Sequence, residues 1–164
     1  MRVEYKETET GFTLTCGKAK AALVVMGDDV FTMTASGADR PKAWWRMACR
    51  FARIGAGLQD GEHYTEAAQT TDMPMAGHLQ PFEVTKARGG VLLAITSPDD
   101  DTPAEIRVAV KGMMEVRVTA KGPPIDAYQL ETLGAFLMSM CEFLTRAELF
   151  DAEALREYAE RVLG

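Results

Sequence analysis

Polar and apolar residues alternate with a period of two along two separate stretches of the chain, one at its start and one in its middle. This period is typical of half-buried strands, because successive side chains of a strand point to opposite faces. Turn signals that contain glycine or, at residues 98–103, proline and aspartate separate the alternating segments. The pattern predicts eight strands in two groups of four, at residues 2–6, 12–16, 19–26 and 29–35 and at residues 78–87, 90–97, 104–111 and 114–120.

Apolar residues recur every three or four positions after each group of strands, which predicts amphipathic helices. Asp39 is suited to the N-cap of the first helix, and Gly55 and Gly57 are expected to mark its end, since glycine is favoured just beyond a helix C-terminus. The predicted helices cover residues 39–58, 125–147 with Asp126 as its cap, and 152–163 with Asp151 as its cap.

This order of elements predicts the fold class α+β, as a single domain over residues 1–164. We expect an antiparallel sheet, or sheets, of about eight strands with the helices on one side. At an offset of 85 residues, five residues of the first half have identical counterparts in the second: Val25, Gly27, Thr34, Ala35 and Gly37 match Val110, Gly112, Thr119, Ala120 and Gly122. The match indicates a duplicated ββββα unit with halves 1–58 and 78–147, followed by a C-terminal helix at 151–163. A chance likeness between two amphipathic hairpins is the alternative.

Composition places the chain among ordinary globular proteins, with 47% hydrophobic and 26% charged residues. The longest nearly apolar stretch, residues 133–144, is shorter than the roughly 20 residues that span a bilayer. No basic and apolar leader opens the sequence. We therefore expect a cytoplasmic protein that does not contact a membrane.

Candidate chemistry is scarce. The three cysteines form no CxxC pair, so we expect neither a disulfide framework nor a metal site. No phosphate-binding loop, dinucleotide fingerprint, nucleophile elbow or zinc-protease motif occurs, and we expect no cofactor. An enzyme is the less favoured class. If the protein is one, its site is expected in the long connection 59–77, which holds His63 and Tyr64.

The first predicted helix carries a basic face. Lys42, Arg46, Arg50 and Arg53 are spaced by four, four and three residues and so share one side of the helix. Trp45 lies at the flank of the opposite apolar stripe. Residues 38–58 contain five basic residues and one acidic residue, whereas the whole chain has a net charge of −6. This face is a candidate binding surface for an acidic protein or a phosphate backbone; a face that is merely solvated is the alternative.

The long second helix is apolar over more of its circumference than one sheet requires. Met138 and Phe143 widen its stripe sideways, and the surplus must contact the last helix, the other half of the domain or a second chain. These two residues are therefore candidates for an oligomer interface.

Together these features favour a non-enzymatic protein-interaction module of the adaptor, chaperone or inhibitor type, which acts as a homodimer or in a complex. A single-stranded nucleic-acid-binding protein that uses the basic helix face and Trp45 is the first alternative, although a net charge of −6 disfavours contact with phosphates. An enzyme of unknown type is the second. The sequence names no partner and no pathway.

Overall fold

The computed structural model describes residues 2–25, 31–37, 41–62, 66–67, 79–99, 102–111, 115–121, 125–146 and 152–158. All eight predicted strands form, and they belong to one sheet. Their bounds are β1 (Glu4–Thr8), β2 (Gly11–Cys16), β3 (Ala19–Val25), β4 (Phe31–Ser36), β5 (Phe82–Ala87), β6 (Gly90–Ile95), β7 (Ala104–Lys111) and β8 (Glu115–Lys121).

The sheet is antiparallel throughout, with the strand order β1-β2-β3-β4-β8-β7-β6-β5. Each group of four strands is a meander, and the two meanders join at the β4–β8 pair, where Thr34 lies opposite Thr119. These two threonines are 85 residues apart, so a two-fold axis through their pair would relate the halves at the offset found in the sequence. Gly27 and Gly112, which would compare the two hairpin turns, lie outside the described residues. The duplication itself stays a prediction.

Among the described residues, three helices cover one face of the sheet: α1 (Pro41–Gln59), α2 (Ala127–Arg146) and α3 (Ala152–Tyr158). Alternate residues of the strands are buried beneath these helices, as in β2 and β6, which share one burial pattern. Burial of the apolar side chains between sheet and helices is the main source of stability. The α+β class predicted from the sequence is confirmed.

Gly55 and Gly57 lie inside α1 and do not end it, which corrects the expectation from sequence. A Cβ atom added to Gly55 would lie 2.5 Å from the backbone nitrogen of Glu131 and 2.7 Å from the backbone oxygen of Ala127. These distances are far shorter than ordinary contacts between non-bonded atoms. Glycine at position 55 therefore lets α1 and α2 cross with their backbones in contact.

Asp126 caps α2, as the sequence predicts. Its Oδ1 accepts a hydrogen bond of 2.8 Å from the backbone N–H of Gln129, while Oε1 of Gln129 accepts one of 3.0 Å from the backbone N–H of Asp126. This reciprocal pair is a capping box. Nε2 of Gln129 also donates to the backbone oxygen of Ile95 at 3.0 Å, which fixes the start of α2 on β6. The other two predicted caps, Asp39 and Asp151, lie outside the described residues.

Candidate functional site

The two halves of α1 have different surroundings. Residues 51–58 are all buried, because α2 crosses the helix there. Only the first half is amphipathic, and it presents an exposed Lys42 and Trp45 and a partly buried Arg46 and Arg50. We refer to these four residues as the α1 surface.

Arg53 is not on this surface, although its spacing places it in line with Arg46 and Arg50. The residue is only 6% exposed, and its Nη2 lies 2.9 Å from Oε1 and 3.1 Å from Oε2 of Glu62. The chain just after α1 turns back and brings this carboxylate to the guanidinium. Arg53 therefore anchors the end of α1 and is not available to an external anion.

The two adjacent tryptophans have different environments, as the angle of about 100° between successive helical residues requires. Trp44 is fully buried in the core, whereas Trp45 is 37% exposed. Cys49, one turn after Trp45, has a raised pKa because of burial and, secondly, because of the nearby Glu142 carboxylate of α2. Trp45 is thus a large aromatic side chain of α1 that is partly open to solvent.

Positive charge is concentrated around Arg50. Burial lowers the pKa of Arg50, and the neighbouring guanidinium groups of Arg2 and Arg53 lower it further. Burial raises the pKa of the Cys16 thiol. The positive charge of Arg46 opposes this shift without cancelling it. Arg2 thus joins this group of cations. Helical spacing could not reveal it, since it comes from the chain before β1.

The apolar surplus of α2 is covered largely from within the chain. The rings of Phe136 and Phe143 lie 5.8 and 5.3 Å from the ring of Tyr158 on α3, measured between centroids. Met138 is partly buried and packs against the core. The predicted interface residues Met138 and Phe143 therefore offer only part of their surface to a second chain.

Polar side chains anchor the chain on both sides of the long connection after α1. Nε2 of Gln59 donates to Oε2 of the fully buried Glu131 at 2.8 Å, and the backbone N–H of Gln80 donates to Oγ1 of Thr132 at 2.8 Å. His63 and Tyr64, the candidates for catalysis, lie outside the described residues. In the part of the chain that the structure describes, no group of three or more His, Cys, Asp or Glu residues is arranged to hold a metal ion.

None of the helices formed by the described residues has both the length and the apolar character needed to cross a membrane. No protein-family model matches the chain, and neither a curated protein nor a solved structure shows significant similarity to it.

Proposed function

We propose that this chain is a non-enzymatic protein-interaction module, of the adaptor, chaperone or inhibitor type, which binds an acidic partner through the α1 surface. The observation that carries the proposal is the partial exposure of Trp45 beside a row of cationic side chains, on a helix whose other end is buried. Tryptophan and arginine are the residue types that most often dominate the binding energy of an interface. A helix held by the core presents them at little cost in conformational entropy.

An acidic protein suits this surface better than a nucleic acid does. Proteins that bind single strands stack successive bases on several aromatic side chains, whereas the α1 surface has Trp45 alone. The chain also carries a net charge of −6, which opposes a long polyanion, and the Glu142 carboxylate lies close to Cys49 at the edge of the surface. A partner protein needs to place carboxylates only opposite Lys42, Arg46 and Arg50.

The assembly in which the module works is a homodimer or a complex with another protein. In the homodimer, the partly exposed portions of Met138 and Phe143 would add apolar contact to the interface. Both side chains already pack within the chain, so a dimer built on them alone would be weak, and the α1 surface is the stronger element of the proposal.

Photo-crosslinking tests the proposal directly. We would replace Trp45 with p-benzoylphenylalanine, which keeps an aromatic side chain, and irradiate the protein in native lysate with and without nuclease. Arg46→Glu with Arg50→Glu in the same chain should abolish the crosslink. Lys6→Glu with Lys86→Glu changes the net charge equally at exposed strand positions and should leave it intact.

A protein crosslink that survives nuclease and is lost only in the α1 variant supports the proposal. With the partner in hand, Trp45→Ala should weaken binding by about 2 kcal/mol, the scale of an interface hot spot. A crosslink that disappears on nuclease treatment would favour the nucleic-acid alternative. The absence of any crosslink, or one that both charge variants retain, would contradict the proposal.

A further inference from the structure

The face of the sheet that the helices leave open carries its own pattern of side chains. One row of cross-strand neighbours runs over all eight strands: Lys6, Thr13, Ala22, Thr34, Thr119, Arg107, Leu92 and Thr85. Apart from Val24 and Leu92, the outward-facing positions of the described strands hold small, hydroxyl or charged side chains, and none of them holds an aromatic ring. An antiparallel sheet can keep such a face in water.

Two adjoining hollows lie on this open face. The first is lined by Arg88, Arg107 and Arg117, with Gly89, Ala109 and Thr119 between them. The second shares Arg117 and Thr119 and continues over β4 to Lys20 on β3. Together the described linings contain four cationic side chains and the hydroxyl groups of three others, and no carboxylate. We refer to the two together as the sheet hollow.

The guanidinium group of Arg107 is held in place within the sheet hollow. Its Nη2 donates a hydrogen bond to the backbone oxygen of Arg88 in the β5–β6 turn. The same turn is tied to β7 by a hydrogen bond of 2.9 Å from the backbone N–H of Val110 to the backbone oxygen of Gly89. A cation positioned before binding loses less conformational entropy when an anion arrives.

We infer that the sheet hollow binds an extended acidic segment of a partner protein. From Lys20 to Arg107 the hollow crosses the four neighbouring strands β3, β4, β8 and β7, a distance of about 14 Å at the usual spacing between strands. About five residues of extended chain cover that length. Their carboxylates would pair with the planar forks of Arg107 and Arg117, which match carboxylates in shape and charge.

The open face favours a peptide over a nucleic acid. Base-stacking rings are missing from its described positions, and the chain as a whole is acidic. The carboxylates Glu83 and Glu105 lie on the same face, but in a separate row that passes through Ala94 and outside the linings of the hollow. The sheet hollow is independent of the α1 surface, because the hydrophobic core separates the two.

Nuclear magnetic resonance titration of the full chain, labelled with ¹⁵N, tests the inference. The probe is an eight-residue peptide in which aspartate alternates with threonine. Two comparison ligands are titrated separately: the same peptide with asparagine in place of aspartate, and an eight-nucleotide oligothymidylate. The acidic peptide should shift the amide signals of β4, β7 and β8, whereas the asparagine peptide should not.

Arg107→Glu with Arg117→Glu should weaken binding of the acidic peptide by about 100-fold, since close charge pairs across an interface each contribute roughly tenfold or more. Lys6→Glu reverses a charge on the same face but outside the hollow, and it should change the affinity for the acidic peptide less than twofold. Arg107→Gln with Arg117→Gln serves as a second variant if the double reversal alters the spectrum of the free protein. Glu105→Gln should strengthen binding by roughly twofold, because Glu105 lies two residues from Arg107 on β7.

Three results would overturn the inference: no shift with the acidic peptide at millimolar concentration, shifts that the arginine variants leave unchanged, or tighter binding of oligothymidylate than of the acidic peptide at equal salt. None of them bears on the α1 surface, whose crosslink is measured separately.

Discussion

Substitution of Gly55 by alanine is a demanding test of the helix crossing on which the α1 surface depends. On helix propensity alone, the change should stabilise the protein by about 1 kcal/mol, because glycine is the less favourable residue inside a helix. The structure predicts the opposite sign. The added Cβ atom would lie 2.5 Å from Glu131 N, 2.7 Å from Ala127 O and 2.9 Å from Glu131 Cα.

The magnitude follows from the kind of atoms in contact. All three neighbours belong to the backbone of α2, so no side-chain rotation can make room, and the helices must separate by about 1 Å to restore ordinary contacts. Overpacking of this kind costs about 1–3 kcal/mol. Since the gain in propensity of about 1 kcal/mol offsets part of this cost, we expect Gly55→Ala to lower the free energy of unfolding by up to about 2 kcal/mol.

Equilibrium unfolding in urea, followed by far-ultraviolet circular dichroism, measures this change. Gly134→Ala should have the same sign, because Gly134 of α2 packs against the backbone of Ala52 at the same crossing. Glu142→Gly and Glu142→Ala calibrate the effect of propensity at an exposed position of α2. A Gly55→Ala protein that is more stable than the wild type by about 1 kcal/mol, as propensity alone requires, would refute the close crossing.

Three further predictions concern ionisable groups and assembly. Glu62→Gln should lower the free energy of unfolding by about 1–3 kcal/mol, because it leaves the charge of the nearly buried Arg53 without its carboxylate. The double variant Arg53→Gln with Glu62→Gln should lose less stability than the sum of the losses in the two single variants. Urea unfolding in which the two losses simply add would contradict the pairing. Burial raises the pKa of Cys141 above the ordinary 9.0, so at high pH the folded chain keeps a thiol proton that the unfolded chain releases. The free energy of unfolding should therefore fall above pH 9 by up to about 1.4 kcal/mol per pH unit. Urea unfolding measured from pH 7 to 10 should show a shallower fall for Cys141→Ala than for the wild type. If the protein is a homodimer, Met138→Asp should shift it to a monomer in light scattering while the circular dichroism spectrum is kept, whereas a wild type that is monomeric at high concentration rules the dimer out.

The strands and most helix bounds could be predicted because their signals are local. Period-two alternation identified every strand, and Asp126 was correctly predicted as the cap of α2. Gly55 shows where local reasoning fails. Glycine is common both just after a helix and where two helices touch, and only the position of α2 decides between these roles.

The candidate surfaces could be predicted only in part, for the same reason. Lys42, Trp45 and Arg46 follow from helical spacing, but Arg53 does not, because its burial depends on a carboxylate that comes from beyond the end of α1. The sheet hollow escaped sequence analysis altogether. Lys20 and Arg117 meet only because β4 pairs with β8, and that register joins the two halves of the chain.

The position of the β4–β8 pair also bears on how the two proposed surfaces could work together. This pair forms the middle of the sheet, and Thr119 in the hollow lies on the outward side of β8 while Val118 next to it is buried in the core beneath the helices. A ligand in the hollow and a partner on Trp45 would therefore contact opposite sides of one packed layer and could not touch each other. Effects at sites more than about 10 Å apart that share no contacting residues usually add, so the binding energies at the two surfaces are expected to add. If both proposed surfaces bind, the chain would hold two acidic partners at once, which is the physical requirement for an adaptor and is not required of a simple inhibitor.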